Sequence, residues 1–557
     1  MEKSYILIYK GDIENDLINA GLKNFMVLND NIAIIYVTED FNESIFNKIS
    51  SINWWQISIP MSSLIEVNNG IDDGVTISDS SGTDYLEKNP YIMSTGKNVL
   101  VAIIDSGIDY LHPDFMENNK TKIVSIWDQE SKKKEPPKGC IFGSEFTRED
   151  INKAIEENNK TLSEDRIGTG TIAAGIVGGI GNLNKRYKGV ATGCDLVVVK
   201  LREYRDRYKI GKINYQKSDF LAAIRYVIDV SIKENKPLII NLTVGLNSQT
   251  INESTMLSTF KELYNPGVIM VSGAGNEGNT DIHYKGTIND KNEEKDIIIQ
   301  VGEQTNLDII LLLNSIDKIG ATLISPSGEL TYKMMYTPEY YVYKGRFNLE
   351  NTKYTMRLSY PWLESGKEEL IIRLYDIKPG IWTLRLIPEF VINGGFDVYL
   401  PNKNLIAKET RFSSPSSEST ITMYAVPENV ITVGTYNDKT DSLWIGSSKG
   451  PVNLEFVKPD IIAPGVDIIS TYINQSYISA TGTGVSASIV VGVLAIIIEY
   501  ILSEHDTSKE LLSPQPLKTY LMVGATKKDI YIYPNLSQGY GILNLKNTII
   551  EISNNFE

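Results

Sequence analysis

The chain has 557 residues, of which 42% are hydrophobic and 22% charged, with a formal charge of −15. That length exceeds one ordinary core and predicts two or three domains, while the apolar and charged fractions exclude a disordered or fibrous protein. The negative charge argues against nucleic-acid or anionic-membrane partners, which require a concentrated basic surface to displace counterions.

The opening residues, Met1 to Ile6, lack the basic stretch and long apolar core of a signal peptide, so a soluble chain is expected. Over residues 1–80, short β-rich runs at Tyr5–Tyr9, Ile32–Thr38 and Ile57–Ile59 alternate with helix-compatible stretches at Glu14–Leu22 and Phe41–Ile49, which predicts a small α+β unit. The polar stretch Ser78–Asp84 reads as a connector. The one basic run, Lys132–Lys134, is followed by Glu135, Pro136 and Pro137 and reads as a solvated loop. Cys140 and Cys194 are too few for a disulfide framework.

Between about 98 and 280, apolar runs at Val99–Ile104, Leu196–Lys200, Leu238–Leu242 and Val268–Ser272 alternate with helical patterns. Near-continuous Val and Ile in such runs predicts strands buried on both faces, hence a parallel sheet covered by helices. From 283 to 419 the pattern changes to short alternating strands with turn signals such as Pro326-Ser327-Gly328, which predicts a jelly roll or sandwich inserted into the α/β domain. The α/β pattern resumes at 420 and runs to 557. Its apolar run Ala487–Ile498, ended by Glu499, is too short to cross a bilayer and predicts a buried helix.

The chemistry concentrates in five motifs. Val101 to Asp109 places Asp105 at the carboxyl end of a buried strand, where open parallel sheets hold their sites. Gly168 to Ile176 is a glycine-rich entry into a helix. Val271 to Asn279, Lys458 to Gly465 and Thr481 to Ala487 complete the series.

In this order the motifs resemble those of the subtilisin-like serine proteases, over about 98–280 and 420–545, and residues 1–80 resemble their propeptide. The resemblance implies a domain order of propeptide (1–80), core (81–282), insertion (283–419) and core (420–557). In that family an Asp orients a His, the His deprotonates a Ser, and an Asn side chain receives the oxyanion. The Asp falls on Asp105 and the oxyanion Asn on Asn276, and the strand that flanks substrate resembles Asn241–Gly245. The His position, however, holds Thr169 and the Ser position Gly484. Threonine has no nitrogen that titrates near neutral pH and glycine has no side chain, so acyl transfer has neither base nor nucleophile.

The chain contains three histidines. His112 lies in a Leu-His-Pro-Asp-Phe stretch, His283 follows the oxyanion segment, and His505 lies near the end of the expected core helix, so each is expected to be structural. Ser486 sits roughly 200° around a helix from Gly484 and is expected to point away from the site. Asp105 and Asn276 read either as polar fold elements or as residual ligand contacts. The acidic loops carry no complete calcium-ligand spacing, so a metal is left open, and no cofactor is indicated.

The order of propeptide, core and insertion is similar to the Csp group of clostridial spore-germination proteins, and the pattern Asp105, Thr169, Gly484 resembles a pseudoprotease of that group. That resemblance implies a spore protein, not an enzyme, which relays a small-molecule germinant signal of bile-acid type to other Csp proteins. These include the active protease that processes the cortex-lytic enzyme precursor. The alternatives are a scaffold, chaperone or inhibitor of a protease partner, and an active hydrolase with a relocated nucleophile. Without base and nucleophile, residues 1–80 are expected to stay covalently attached.

Overall fold

The computed structural model describes residues 2–71, 74–87, 89, 92–205, 213–247, 256–335, 341–359, 367–450, 456–504 and 509–554. His505 lies outside them. The Val- and Ile-rich runs form a central sheet in the order Ser144–Thr147, Ile123–Asp128, Asp195–Lys200, Leu100–Asp105, Leu238–Leu242, Val268–Gly273, Val430–Asn437 and Ser442–Leu443, with Ile461–Pro464 also paired to Val430–Asn437. The inner strands are parallel, and antiparallel partners close both edges.

Because side chains alternate across a strand, each strand feeds two cores. Val101 and Ile103 join Val198 and Ile239 against helices Thr169–Gly178 and Thr483–Glu504. Leu100, Ala102 and Ile104 join Val197 and Ile240 against helix Lys217–Glu234. Burial on both faces is why these runs carry no polar alternation. After Leu100–Asp105 the chain builds the sheet on one side and then on the other, so Asp105 stands at a topological switch point. Helix Thr483–Glu504 contains a 21-residue stretch long and apolar enough to cross a membrane, but 83% of its most apolar window is buried inside the protein. It is the central core helix.

The N-terminal unit is an antiparallel sheet in the order Phe25–Val27, Ile32–Thr38, Glu2–Tyr9 and Ile52–Ile57. One face packs Tyr5, Leu7 and Ile35 on Ile13, Leu17, Phe46 and Trp55. The other face sets Ile6, Ile8, Ile32 and Ile34 against helix Lys217–Glu234. Polar contacts fix the docking: Tyr36 donates to Asp219 at 2.8 Å, and Ser4 meets Ser218 at 2.8 Å. Arg202 grips the same fully buried Asp219 through Nε and Nη2, both at 2.8 Å.

Several local expectations shift. The expected strand at Ile57–Ile59 is instead two strands, Ile52–Ile57 and Pro60–Ser63, parted where Ser58 Oγ accepts from Ser218 N–H. Phe41–Ile49 holds a 3-10 helix, Glu43–Lys48, capped by Asn42. The expected connector Ser78–Asp84 lies in short helices Ile77–Ser81 and Asp84–Glu87, because Thr76 caps Asp79 and Ile77 is buried.

Between His283 and Phe412 the chain forms two antiparallel sheets. One runs His283–Thr287, Gly395–Tyr399, Asn306–Asn314, Lys367–Tyr375, Lys353–Ser359 and Tyr341–Arg346; the other runs Lys318–Ile324, Gly380–Phe390, Lys295–Val301 and Arg411–Phe412. They enclose a separate core around Trp382, Leu311 and Ile372. The outer face of the larger sheet packs Ile310, Leu312 and Ile371 onto the α/β domain.

Removing the cation from Asp219 strands a carboxylate with no exposed surface, a change that costs about 3–5 kcal/mol. Arg202→Met is therefore expected to lower the thermal midpoint by several degrees and to make residues 1–57 the first segment cut in limited proteolysis. Unchanged proteolysis of that segment in the variant would mean that the apolar face alone holds the N-terminal unit.

Candidate functional site

Asp105 ends its strand with no solvent exposure. Oδ1 accepts from Thr169 Oγ1 at 2.5 Å and from Ser106 N–H at 2.7 Å, and Oδ2 accepts from Thr243 Oγ1. Thr169 opens helix Thr169–Gly178, whose N-cap, Gly168, supplies no side-chain bond. Gly170 N–H donates instead to Ser106 Oγ at 2.9 Å. Only glycine fits at 170, because a Cβ there would lie 2.1 Å from the Gly107 carbonyl. The glycine-rich motif thus lets the helix end press against the Asp105 loop.

Burial pushes the Asp105 carboxyl up to about 6, and the three donors offset only part of that rise. Among the described residues no cation contacts it. A hydroxyl satisfies one lone pair of the carboxylate but brings no compensating charge.

The second half of the site is built around the chain's own backbone. Strand Pro60–Ser63 lies between Tyr215–Gln216 and Val244–Gly245, antiparallel to both, and Leu64 N–H donates to the Thr243 carbonyl at 2.7 Å. Beyond it, Glu66–Val67 pairs with Ser476–Thr481. Residues 60–67 therefore run extended through the cleft, in the place expected for substrate beside Asn241–Gly245. At the midpoint the Leu64 carbonyl accepts from Gly484 N–H at 3.0 Å and from Asn276 Nδ2 at 3.2 Å. The amide of Asn276 is oriented by Thr483, whose N–H and hydroxyl donate to Oδ1 at 3.0 and 2.9 Å. A Cβ on Gly484 would stand 3.2 Å from the Leu64 carbonyl carbon and 2.8 Å from Ile65 Cγ1.

The structure brings Asp105 and Thr169 into direct contact, and Asn276 and Gly484 onto one carbonyl. The remaining candidates lie elsewhere. His112 is buried, its Nδ1 accepting from Asp114 N–H at 3.2 Å and its Nε2 donating to the Ser476 carbonyl at 3.1 Å. His283 bonds Asp397 at 2.9 Å and stacks on Tyr399. Ser486 turns inward to Thr435 and the Ala463 carbonyl, and Ser488 donates to the Gly484 carbonyl. Among the described residues no three His, Cys, Asp or Glu side chains converge as a metal-ligand set.

Sequence reasoning missed Leu64 and Ile65, since a short apolar pair next to Ser62 and Ser63 carries no periodic signal. It also missed Glu277, buried beside Asn276, whose carboxyl burial pushes up to about 7. Glu277 accepts from Thr280 Oγ1 at 2.6 Å and from Lys403 N–H at 3.2 Å, which joins the site to the end of the inserted unit.

Residues 96–370 and 390–541 match the profile of the Subtilase family. The solved structure of the CspB protease of Clostridium perfringens superposes with a TM-score of 0.74 at 26% identity, covering 86% of this chain and 97% of that one. The epidermin leader peptide-processing serine protease EpiP of Staphylococcus epidermidis is 26% identical over 239 residues, 40% of this chain and 43% of that protein. Serine protease AprX of Bacillus subtilis is 32% identical over 160 residues, 25% of this chain and 33% of its own length. The chain spans less than half the length of these curated relatives.

A carboxyl whose folded value lies near 6, above the ordinary 3.8, holds its proton more tightly in the folded than in the unfolded chain. Its stabilising contribution is full below about pH 4 and is lost as pH rises through about 6. Asp105→Asn keeps the acceptor oxygen and removes the charge, so it is expected to stabilise the fold by about 1–3 kcal/mol at pH 8. The gain should shrink at pH 5, as read from thermal midpoints at the two pH values. A variant less stable than the parent at pH 8 would contradict an uncompensated charge at this position.

Proposed function

The chain belongs to the subtilase family, and from that premise we propose that it is a pseudoprotease: it keeps the scaffold and acts by binding. The observation that carries this reading is the Leu64 carbonyl, seated on Gly484 N–H and Asn276 in front of a residue with no side chain. A peptide bond presented in this way to a serine and an activating histidine is a substrate. Here it faces Gly484, while Thr169 stands against Asp105. In subtilisin, loss of either serine or histidine lowers kcat by on the order of 10⁶, so donors to the carbonyl oxygen do not make up for the missing groups.

On this reading the Leu64–Ile65 bond is the vestige of a self-processing site, and the uncut strand fills the cleft against outside peptides. The role is then regulatory. Its kind is that of CspC, the pseudoprotease of the Csp group: a spore protein that relays a germinant signal of bile-acid type to an active Csp protease. The similarity to the CspB protease over 86% of this chain supports placement in that group.

The purified protein is expected to run as one chain of 62.3 kDa and to resist a fluorophosphonate probe. Covalent labelling of any serine, or a self-generated N-terminus at Ile65, would overturn the reading. Mass spectrometry of the intact, probe-treated protein decides both.

A further inference from the structure

A cavity of about 420 Å³ opens where the three units meet. Its walls come from the N-terminal sheet (Tyr5, Phe41, Ile57), from the α/β domain (Glu203 to Arg205) and from the inserted domain (Thr355, Arg357, Ile371, Arg373, Tyr375). Strand alternation explains the last set. Ile372 and Leu374 point into the sandwich core, so Ile371, Arg373 and Tyr375 face the other way, and cross-strand pairing sets Thr355 beside Arg373 and Arg357 beside Ile371.

The lining mixes apolar and polar side chains and is cationic in its net charge. Lys3, Arg205, Lys344, Arg357 and Arg373 face the carboxylates Glu39, Glu43 and Glu203. Some of these groups are already engaged: Arg205 pairs with Glu203 at 3.0 Å, Glu43 accepts from Tyr5 at 3.2 Å, and Arg357 donates to the Trp55 carbonyl and lies over the Trp55 ring. Arg373 is different. It is only 7% exposed, it forms no ion pair among the described residues, and its Nη2 is buried without a hydrogen-bond partner. Glu203 Oε1 is likewise buried without a partner. A guanidinium withdrawn from water without an acceptor is costly, and a protein keeps one most readily where an acceptor arrives from outside.

We propose that this cavity binds a small organic anion, a carboxylate or equivalent oxyanion on an apolar body, with the anion on Arg373 and the body against Tyr5, Phe41, Ile57 and Ile371. The volume lies in the range of small-molecule sites. A donor on the ligand, such as a hydroxyl, satisfies Glu203. Because all three units contribute walls, occupancy clamps the N-terminal unit and the insertion onto the core, which supplies a signal that a catalytically silent scaffold is able to pass on. The inference rests on the reading that the chain acts by binding. Its test does not involve the cleft, so either fails without the other.

The test titrates the full chain with 1-anilinonaphthalene-8-sulfonate and with N-phenyl-1-naphthylamine, the same apolar body without the anion, by fluorescence and calorimetry. The sulfonate is expected to bind with one-to-one stoichiometry and at least tenfold more tightly than the neutral amine. Arg373→Met should weaken the sulfonate at least tenfold and leave the amine unchanged. Lys344→Glu, an exposed change at the mouth, should weaken the sulfonate severalfold without altering the thermal midpoint of the free protein. Equal affinity for the two probes overturns the proposal. So does a Lys344→Glu protein that binds the sulfonate as the parent does, which keeps the test decisive if Arg373→Met fails to fold.

Discussion

The organisation of the molecule depends on one carbonyl group. Leu64 C=O is held by the Gly484 N–H and the Asn276 amide, and that pair of bonds fixes the register of the extended segment from Pro60 to Val67. The segment is in turn the middle strand of one small sheet and the edge strand of another. It joins the loop at Tyr215, the strand at Val244 and the hairpin at Ser476, three elements far apart in the chain. An outside peptide would have to displace a strand tethered at both ends, whose effective concentration lies in the millimolar range or above.

Around that strand, the site is held together by neutral donors. Asp105 has three donors and, among the described residues, no cation; Asn276 is oriented by Thr483, and Gly484 offers only its amide. Threonine at 169 suits this site. It puts a hydroxyl where the carboxylate needs a donor, and its helix end can still press onto the Ser106 loop. The donors that serve a carbonyl in chemistry serve equally well as a structural clamp.

Much of the fold was legible because its signals are local. The strand at Leu100 and its neighbours read as doubly buried from composition alone, while the positions of Asp105, Thr169, Asn276 and Gly484 came from the resemblance of their motifs to the subtilisin-like family; at Gly170 sterics enforce the glycine of such a motif. Short strand-like runs with turn signals, at Ile309–Leu313, Ala321–Leu330 and Gly380–Leu386, announced the inserted sheets. What escaped depends on distant partners. Pro60–Ser63 is a strand because Val244 and Tyr215 flank it, and Ser78–Asp84 turns helical because Thr76 caps it and Ile77 finds a core. The cavity was invisible for the same reason: Tyr5, Arg205 and Arg373 meet only after three units have docked.

The crowding at position 484 also limits what can stand there. A β-carbon there meets the Ile65 side chain at 2.8 Å, so the absence of a side chain at one position and the bulk of isoleucine at the other fit each other across the cleft. Any side chain introduced at 484 therefore requires residue 65 to turn or shrink. A neighbour's packing, and not any chemistry, thus sets which side chains position 484 admits.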